Sequence, residues 1–339
     1  IYDGHPYGHL GLGHVAALER MTVEDAKAHW QRHYGPRKVW LGLAGGFDST
    51  FAKTVAADLA SKLSKTSAHT RRFGRSPRVL QGHQVTIVKK DTRATALSFG
   101  FKIDVTRKHQ DFAALWLARS WLGEHRSSNS HLFQRMREIR GMNYGDYAYV
   151  EYFPRGMSQF HPDAGLCRKQ QIFQVWVRPV PPEQGVFAMR IAKYELDKLV
   201  KNGLTQGQFE STREFLTKYL AVLVKSQDRQ LGYAMDSRWY GMKDFVGTMR
   251  QRLAALTLDQ VNRAIKRHLA HDRLHIVFIT KDAEKLKSVL TSGAASPISY
   301  TSKKPQGILD EDKIVERYPL DIDSRNVRIV DVSEVFEKQ

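Results

Sequence analysis

The sequence predicts an α+β protein, a two-module αβ sandwich whose first module is truncated, and three observations carry that reading. Strand-like runs come in adjacent groups with helices gathered between them, an order that favours a sheet with helices on one face over a parallel βαβ array. A helix–strand–helix triplet occurs twice: Thr22 against Thr257 and Arg32 against Arg267 both give an offset of 235 residues, and Arg32-His33-Tyr34 aligns with Arg267-His268-Leu269. The second triplet has about 170 residues before it, starting near Val85, whereas the first has 21. The expectation is two copies of one module, with roughly the first 150 residues of the first copy missing.

Taken in order, Thr22 opens a helix with Asp25 three residues on, running through Trp30 and His33 to Tyr34. A strand follows at Val39 to Ala44, closed by Gly45-Gly46, then a helix from about Ser49 to Leu63. Residues 64–84, rich in Ser, Arg and Gly with Pro77, read as a linker between residues 1–63 and a second module at 85–293. In that module, strands are expected at Val85 to Lys89, Ala94 to Ile103 and Gln171 to Val180, the last stopped by Pro179 and Pro181-Pro182. A buried helix is expected from Phe112 to Leu122, then helices from about Val186 to Lys201, Thr205 to Lys225 and, less distinctly, Gln230 to Leu256. Thr257 with Gln260 has capping-box spacing and opens a helix to His268-Leu269, followed by a strand at Leu274 to Ile279 and a helix from Asp282 to Leu290. Residues 294–339 read as a polar tail with strand-like character only at Val327 to Val332.

A chain of 339 residues with 42% hydrophobic and 10% aromatic content has room for two cores. No apolar run approaches the ~18 residues of a membrane span. A single cysteine, Cys167, excludes an internal disulfide. Ile1 is not a start residue and carries no leader, so compartment, bacterial periplasm or cytoplasm, stays open. The net charge of +18 admits acidic partners. Even so, the aromatic run 144–153 and the basic residues Arg71, Arg72, Arg75 and Arg78 match no nucleic-acid-binding motif, and no nucleic-acid partner is expected. No phosphate-binding glycine loop is present; Gly8-x-x-Gly11-x-Gly13 does not follow a strand.

The densest local pattern is Leu132 to Phe153. Leu132, Phe133, Met136 and Ile139 form one apolar helical stripe, with Arg135, Arg137, Glu138 and Arg140 on the other faces. Gly141 supplies a helix stop, and a strand is expected from Tyr144 to Phe153. The stretch Leu132-Phe-Gln-Arg-Met-Arg-Glu-Ile-Arg-Gly-Met-Asn-Tyr144 resembles the arginine–tyrosine segment of pitrilysin/insulinase-type zinc peptidases, the group that includes mitochondrial processing peptidase. That segment reads Leu-Phe-x-x-x-Arg-Glu-x-x-Gly-x-x-Tyr, and every marked position is matched. Gly4-His-Pro-Tyr-Gly8 with Gly13, Thr22-Val-Glu-Asp and Tyr34-Gly-Pro resemble landmarks near the end of that family's first domain. The resemblance covers residues 1 to about 290 and implies a metallohydrolase fold of the insulinase/processing-peptidase type.

It also implies that Arg137 and Tyr144 reach the main chain of a peptide substrate, a role their chemistry suits: a guanidinium is a fixed fork of donors and a phenol can donate to a developing oxyanion. The competing reading makes Arg137 a helix-end cation and Tyr144 a packed ring, with Glu138 paired to a neighbouring arginine. The family binds zinc through His-x-x-Glu-His and a distant glutamate, and that pattern is absent here. His5 and His9 flank a proline, Arg32 stands where a glutamate would follow His29, and Trp121 replaces the first ligand before Glu124-His125. These histidines and His268 read as structural, because none has a visible third ligand. The expectations are therefore no catalytic residue and no metal ligand in this chain, zinc only in the complete enzyme, and partnership with an N-terminal zinc-binding half or partner subunit, or self-association. The alternative is a non-catalytic partner or structural subunit of the same fold.

Overall fold

The computed structural model describes residues 1–35, 39–63, 65, 80–125, 127–154 and 161–337. Its helices are α1 (Val15–Arg20), α2 (Val23–His33), α3 (Ser49–Lys62), α4 (Phe112–Gly123), α5 (Gly185–Asn202), α6 (Gln206–Leu223), α7 (Gln227–Tyr240), α8 (Phe245–Ala255), α9 (Leu258–His268), α10 (Ala283–Thr291), α11 (Gln306–Val315) and α12 (Val332–Phe336). The strands are β1 (Gln84–Lys89), β2 (Thr95–Ile103), β3 (Asp146–Tyr149), β4 (Gln171–Val180), β5 (His275–Thr280) and β6 (Val327–Asp331), and a π-helix spans Phe133–Glu138.

The strands form one six-stranded sheet in the order β3-β4-β2-β5-β1-β6. β2 is antiparallel to both β4 and β5, and β3 to β4, while β1 lies between β5 and β6 and is parallel to both. Alternation along the strands sets the two faces. Val85 and Ile87, Leu97 and Phe99, Val175 and Val177, and Ile276 and Phe278 are buried toward the helices. Thr86, Ser98, Gln174 and His275 lie on the half-buried opposite face. α4 is apolar almost all round, with 11 of its 12 residues buried. It packs on β3 and meets α6, α8 and α9, as a helix without a polar face must. The α+β sandwich with helices on one face is what the strand and helix order predicts.

The capping box expected at Thr257 and Gln260 is present, and the helix expected to open at Thr22 is capped by one as well, with Asp25. Four expectations need correction. Residues 39–44 form no strand among the described residues: no neighbour offers a ladder, and the segment instead lies along α7, with Trp40 edge-on to Trp239 and the Arg238 guanidinium 5.1 Å from the Trp40 ring. The strand expected from Tyr144 is confined to Asp146–Tyr149, because a turn built by Asn143 occupies its start. The stretch 230–256 is two helices, broken where Gly241 takes a left-handed conformation (φ 64°) and Asp244 caps α8. Residues 294–339 are more than a tail, since α11 packs on α5 and β6 completes the sheet beside β1. The linker arginines Arg71, Arg72, Arg75 and Arg78 lie outside the described residues. Among the described residues, no helix is long and apolar enough to cross a membrane.

Candidate functional site

The segment from Leu132 to Tyr149 is a helix–turn–strand unit held from three sides. Leu132 and Met136 are buried, which anchors the apolar stripe. The helix is widened: the Ile139 amide donates to the Gln134 carbonyl five residues back, at 3.0 Å, the mark of a π-turn. Such one-turn widenings collect at functional positions. Arg140, expected on a polar face, is swung inward and buried. Its Nε donates to Asp312 Oδ1 at 2.8 Å and its Nη2 to Glu311 Oε2 at 2.8 Å. Arg135 bridges Glu311 and Glu195 of α5, and His131 also meets Glu195, at 2.7 Å. Burial pushes the Glu195 carboxyl up, but His131 and Arg135 outweigh it and hold the pKa at about 2.

Gly141, with φ 68°, ends the helix, and Asn143 shapes the turn into β3. Its side chain accepts the Gly145 amide at 3.1 Å and donates to Asp146 Oδ1 at 2.7 Å and to the Arg178 carbonyl at 3.1 Å. Asp146 is fully buried. Burial pushes its pKa up to about 7 against the pull of the Asn143 amide and the Arg178 backbone. From behind, Arg119 of α4 donates to the Ala148 carbonyl at 2.8 Å and to Glu124 at 2.7 Å. Gly123 lets α4 approach the strand: a Cβ there would stand 2.4 Å from the Ala148 nitrogen.

On this rigid base the two predicted site residues point outward and come together. Tyr144 precedes the strand and is 81% exposed, so it is not a ring of the packed sheet. The Arg137 side chain is 38% exposed, its guanidinium 6.0 Å from the Tyr144 ring centre and 5.3 Å from that of Phe133. Glu138 accepts from Arg137 Nη1 at 2.7 Å, the pairing expected of it. Five N–H donors on a guanidinium leave several free for a ligand after one pairing.

Among the described residues, the side chains weighed above do not assemble the family's zinc site. Glu124 accepts from Arg119, Ser120 and the His125 amide, and His125 Nδ1 meets the Tyr149 hydroxyl at 2.8 Å, so neither is presented to an ion. His5 Nδ1 accepts the Tyr7 amide at 3.0 Å, and His29 and His33 are neighbouring rings on α2. One grouping escapes sequence reasoning altogether: His109, Asp111 and His268 each offer a ligand atom, all within 4.8 Å of one another. The signal was hidden because His268 is 157 positions from Asp111.

Comparison with known proteins adds to this geometry. The sequence pattern of the peptidase M16 inactive domain matches residues 20–216. The chain is similar to an uncharacterized zinc protease of Bacillus subtilis, at 23% identity over 281 residues, 80% of this chain and 61% of that protein. It is likewise similar to one of Mycobacterium tuberculosis, at 24% identity over 275 residues, 80% of this chain and 58% of that protein. It thus spans about three fifths of the length of these relatives. Among solved structures, it shares its fold with a peptidase M16 inactive domain from Pseudomonas fluorescens (TM-score 0.67, 21% identity, 83% of this chain and 62% of that one). A protease from Helicobacter pylori is also similar (TM-score 0.65, 15% identity, 79% and 61%).

Proposed function

Because the chain belongs to the family of the peptidase M16 inactive domain, we propose that it is the substrate-holding portion of a zinc-dependent peptidase that hydrolyses peptides in a closed chamber. The zinc ligands would be carried by sequence outside these 339 residues. Residues 1–63 would be the end of the zinc-bearing module, 64–84 a linker and 85–293 the substrate-holding module, with 294–339 supporting it. The observation that carries this reading is the outward, paired presentation of Arg137 and Tyr144 from a braced helix–strand junction. Arg137 would donate to main-chain carbonyls of an extended peptide, and the Tyr144 hydroxyl to the carbonyl being attacked. Zinc, bound in the complete enzyme, would supply an activated water.

The relatives' description as zinc proteases supports a catalytic whole over a purely structural subunit. The test is cleavage of an unstructured peptide by the 339-residue chain alone and by the chain joined to its upstream part. The expected result is no turnover alone and chelator-sensitive turnover when joined. An upstream part without His-x-x-Glu-His, together with no turnover in the joined protein, would instead favour the non-catalytic partner reading.

A further inference from the structure

We propose that His109, Asp111 and His268 form a binding site for a borderline divalent transition-metal ion of the Zn2+ type, separate from the catalytic zinc and clamping the start of α4 to the end of α9. Two imidazoles and one carboxylate are a donor set that suits zinc and its neighbours in the first transition row and discriminates against Mg2+ and Ca2+, which prefer all-oxygen shells. His268 Nε2 stands 2.7 Å from Asp111 Oδ2, and the His109 and His268 rings meet edge to face with centroids 5.5 Å apart. The candidate ligand atoms lie within 4.8 Å of one another. Tetrahedral ligands at ~2.1 Å from zinc are roughly 3.4 Å apart, so closing the site asks for side-chain movement on the order of 1 Å.

Asp111 is also placed unusually for its position. It stands at the N-cap of α4, where an aspartate ordinarily accepts a helix amide, yet its side chain makes no capping hydrogen bond. The carboxylate is turned across to α9. The loop carrying His109 is fixed by Arg252 of α8, which donates to the His109 carbonyl at 2.7 Å and the Lys108 carbonyl at 3.0 Å. A cavity of about 360 Å³ opens beside Asp111, lined also by Gln260 and Arg267.

Three features oppose binding and set its strength. Arg267 Nη1 lies 3.2 Å from Asp111 Oδ2 and competes with a cation for it, although the Arg267 side chain is exposed and free to swing away. His109 Nδ1 accepts the Asp111 amide at 3.1 Å, so ligation through Nε2 requires the other tautomer and loses that bond. Ligation through His268 Nε2 displaces its hydrogen bond to Asp111 and needs the tautomer with the proton on Nδ1.

The experiment is calorimetric titration of the chelator-stripped 339-residue chain with Zn2+, alongside thermal melts with and without the ion. The expected result is one saturable ion per chain whose affinity falls at least about tenfold in His268→Gln and in Asp111→Asn. Binding should tighten in Arg267→Gln, and Zn2+ should raise the melting temperature of the wild type but not of Asp111→Asn. Melts without metal establish that the variants are folded. A chain that takes up no ion saturably, binding unchanged in Asp111→Asn and His268→Gln, or binding lost in His29→Ala and retained in both, would each overturn the proposal.

Discussion

A tyrosine that is four-fifths exposed beside an arginine is an unusual use of an aromatic ring, and the single-atom change Tyr144→Phe tests what its hydroxyl does. With the ring in solvent, the melting temperature should stay almost unmoved. In the joined, zinc-bearing protein the turnover number should fall about a hundredfold, the usual scale for losing one oxyanion donor. Arg137→Lys should act in the same direction, since lysine keeps the charge and loses the planar fork. A drop in stability with unchanged turnover in either variant would return the pair to a structural role. Asp146, beneath them, makes a second residue-level prediction. Its pKa in the folded chain, about 7, lies above its ordinary 3.8, so folding favours its protonated form. That contribution is complete below about pH 4 and is lost as pH rises through about 7; each pH unit between the two values is worth about 1.4 kcal/mol, a few kcal/mol in all. Asp146→Asn keeps an acceptor for Asn143 and removes the charge. Denaturation midpoints between pH 4 and pH 8 should therefore fall with pH in the wild type and fall less in the variant.

At the scale of elements, the π-helix sorts arginines that look alike in sequence. Arg137 and Arg140 sit three apart on what reads as a polar surface, yet one faces solvent and the other is buried between Asp312 and Glu311. Arg140→Met should cost about 3 kcal/mol, because it removes one side of a buried ion pair. Tyr300, whose hydroxyl donates to Asp312 at 2.5 Å, would remain to satisfy part of that carboxylate. Arg137→Met, which breaks an exposed pair with Glu138 and the guanidinium's contacts with the Phe133 and Tyr144 rings, should cost under about 1 kcal/mol. Urea midpoints of the two variants would separate them. The distinction was illegible beforehand because it depends on α11, a short helix in a stretch whose polar composition hid it. Legible elements were those with strong local signals: the β4 strand stopped by its prolines, the largely apolar α4, and the helix starts at Thr22 and Thr257. The Arg137–Tyr144 pair was legible through its motif. The His109–Asp111–His268 grouping was not, since it exists only after the ends of α4 and α9 are brought together.

For the whole molecule, the uneven burial of residues 1–63 is the feature with the plainest consequence. α1, α2 and α3 contain no buried residue, and Leu12, Leu18, Met21, Val23 and Phe51 are more than half exposed. Uncovered apolar surface of this extent favours association. The isolated chain should self-associate at micromolar concentration or retain an upstream fragment, and Leu18→Glu with Met21→Lys should shift it toward monomer; sedimentation velocity of both proteins would decide. The sheet carries a different consequence, one of timing. β1 is flanked by β5 and β6, partners that begin near residues 275 and 327. A ribosome delivers both well after β1, so β1 waits with both edges open until the residues near 275 are made. Pairings this distant along the chain are slow to close. Until the final strand emerges, the nascent protein presents a hydrophobic strand that any neighbouring edge could claim, which makes the rate of translation and the presence of a holding chaperone part of how this molecule reaches its structure.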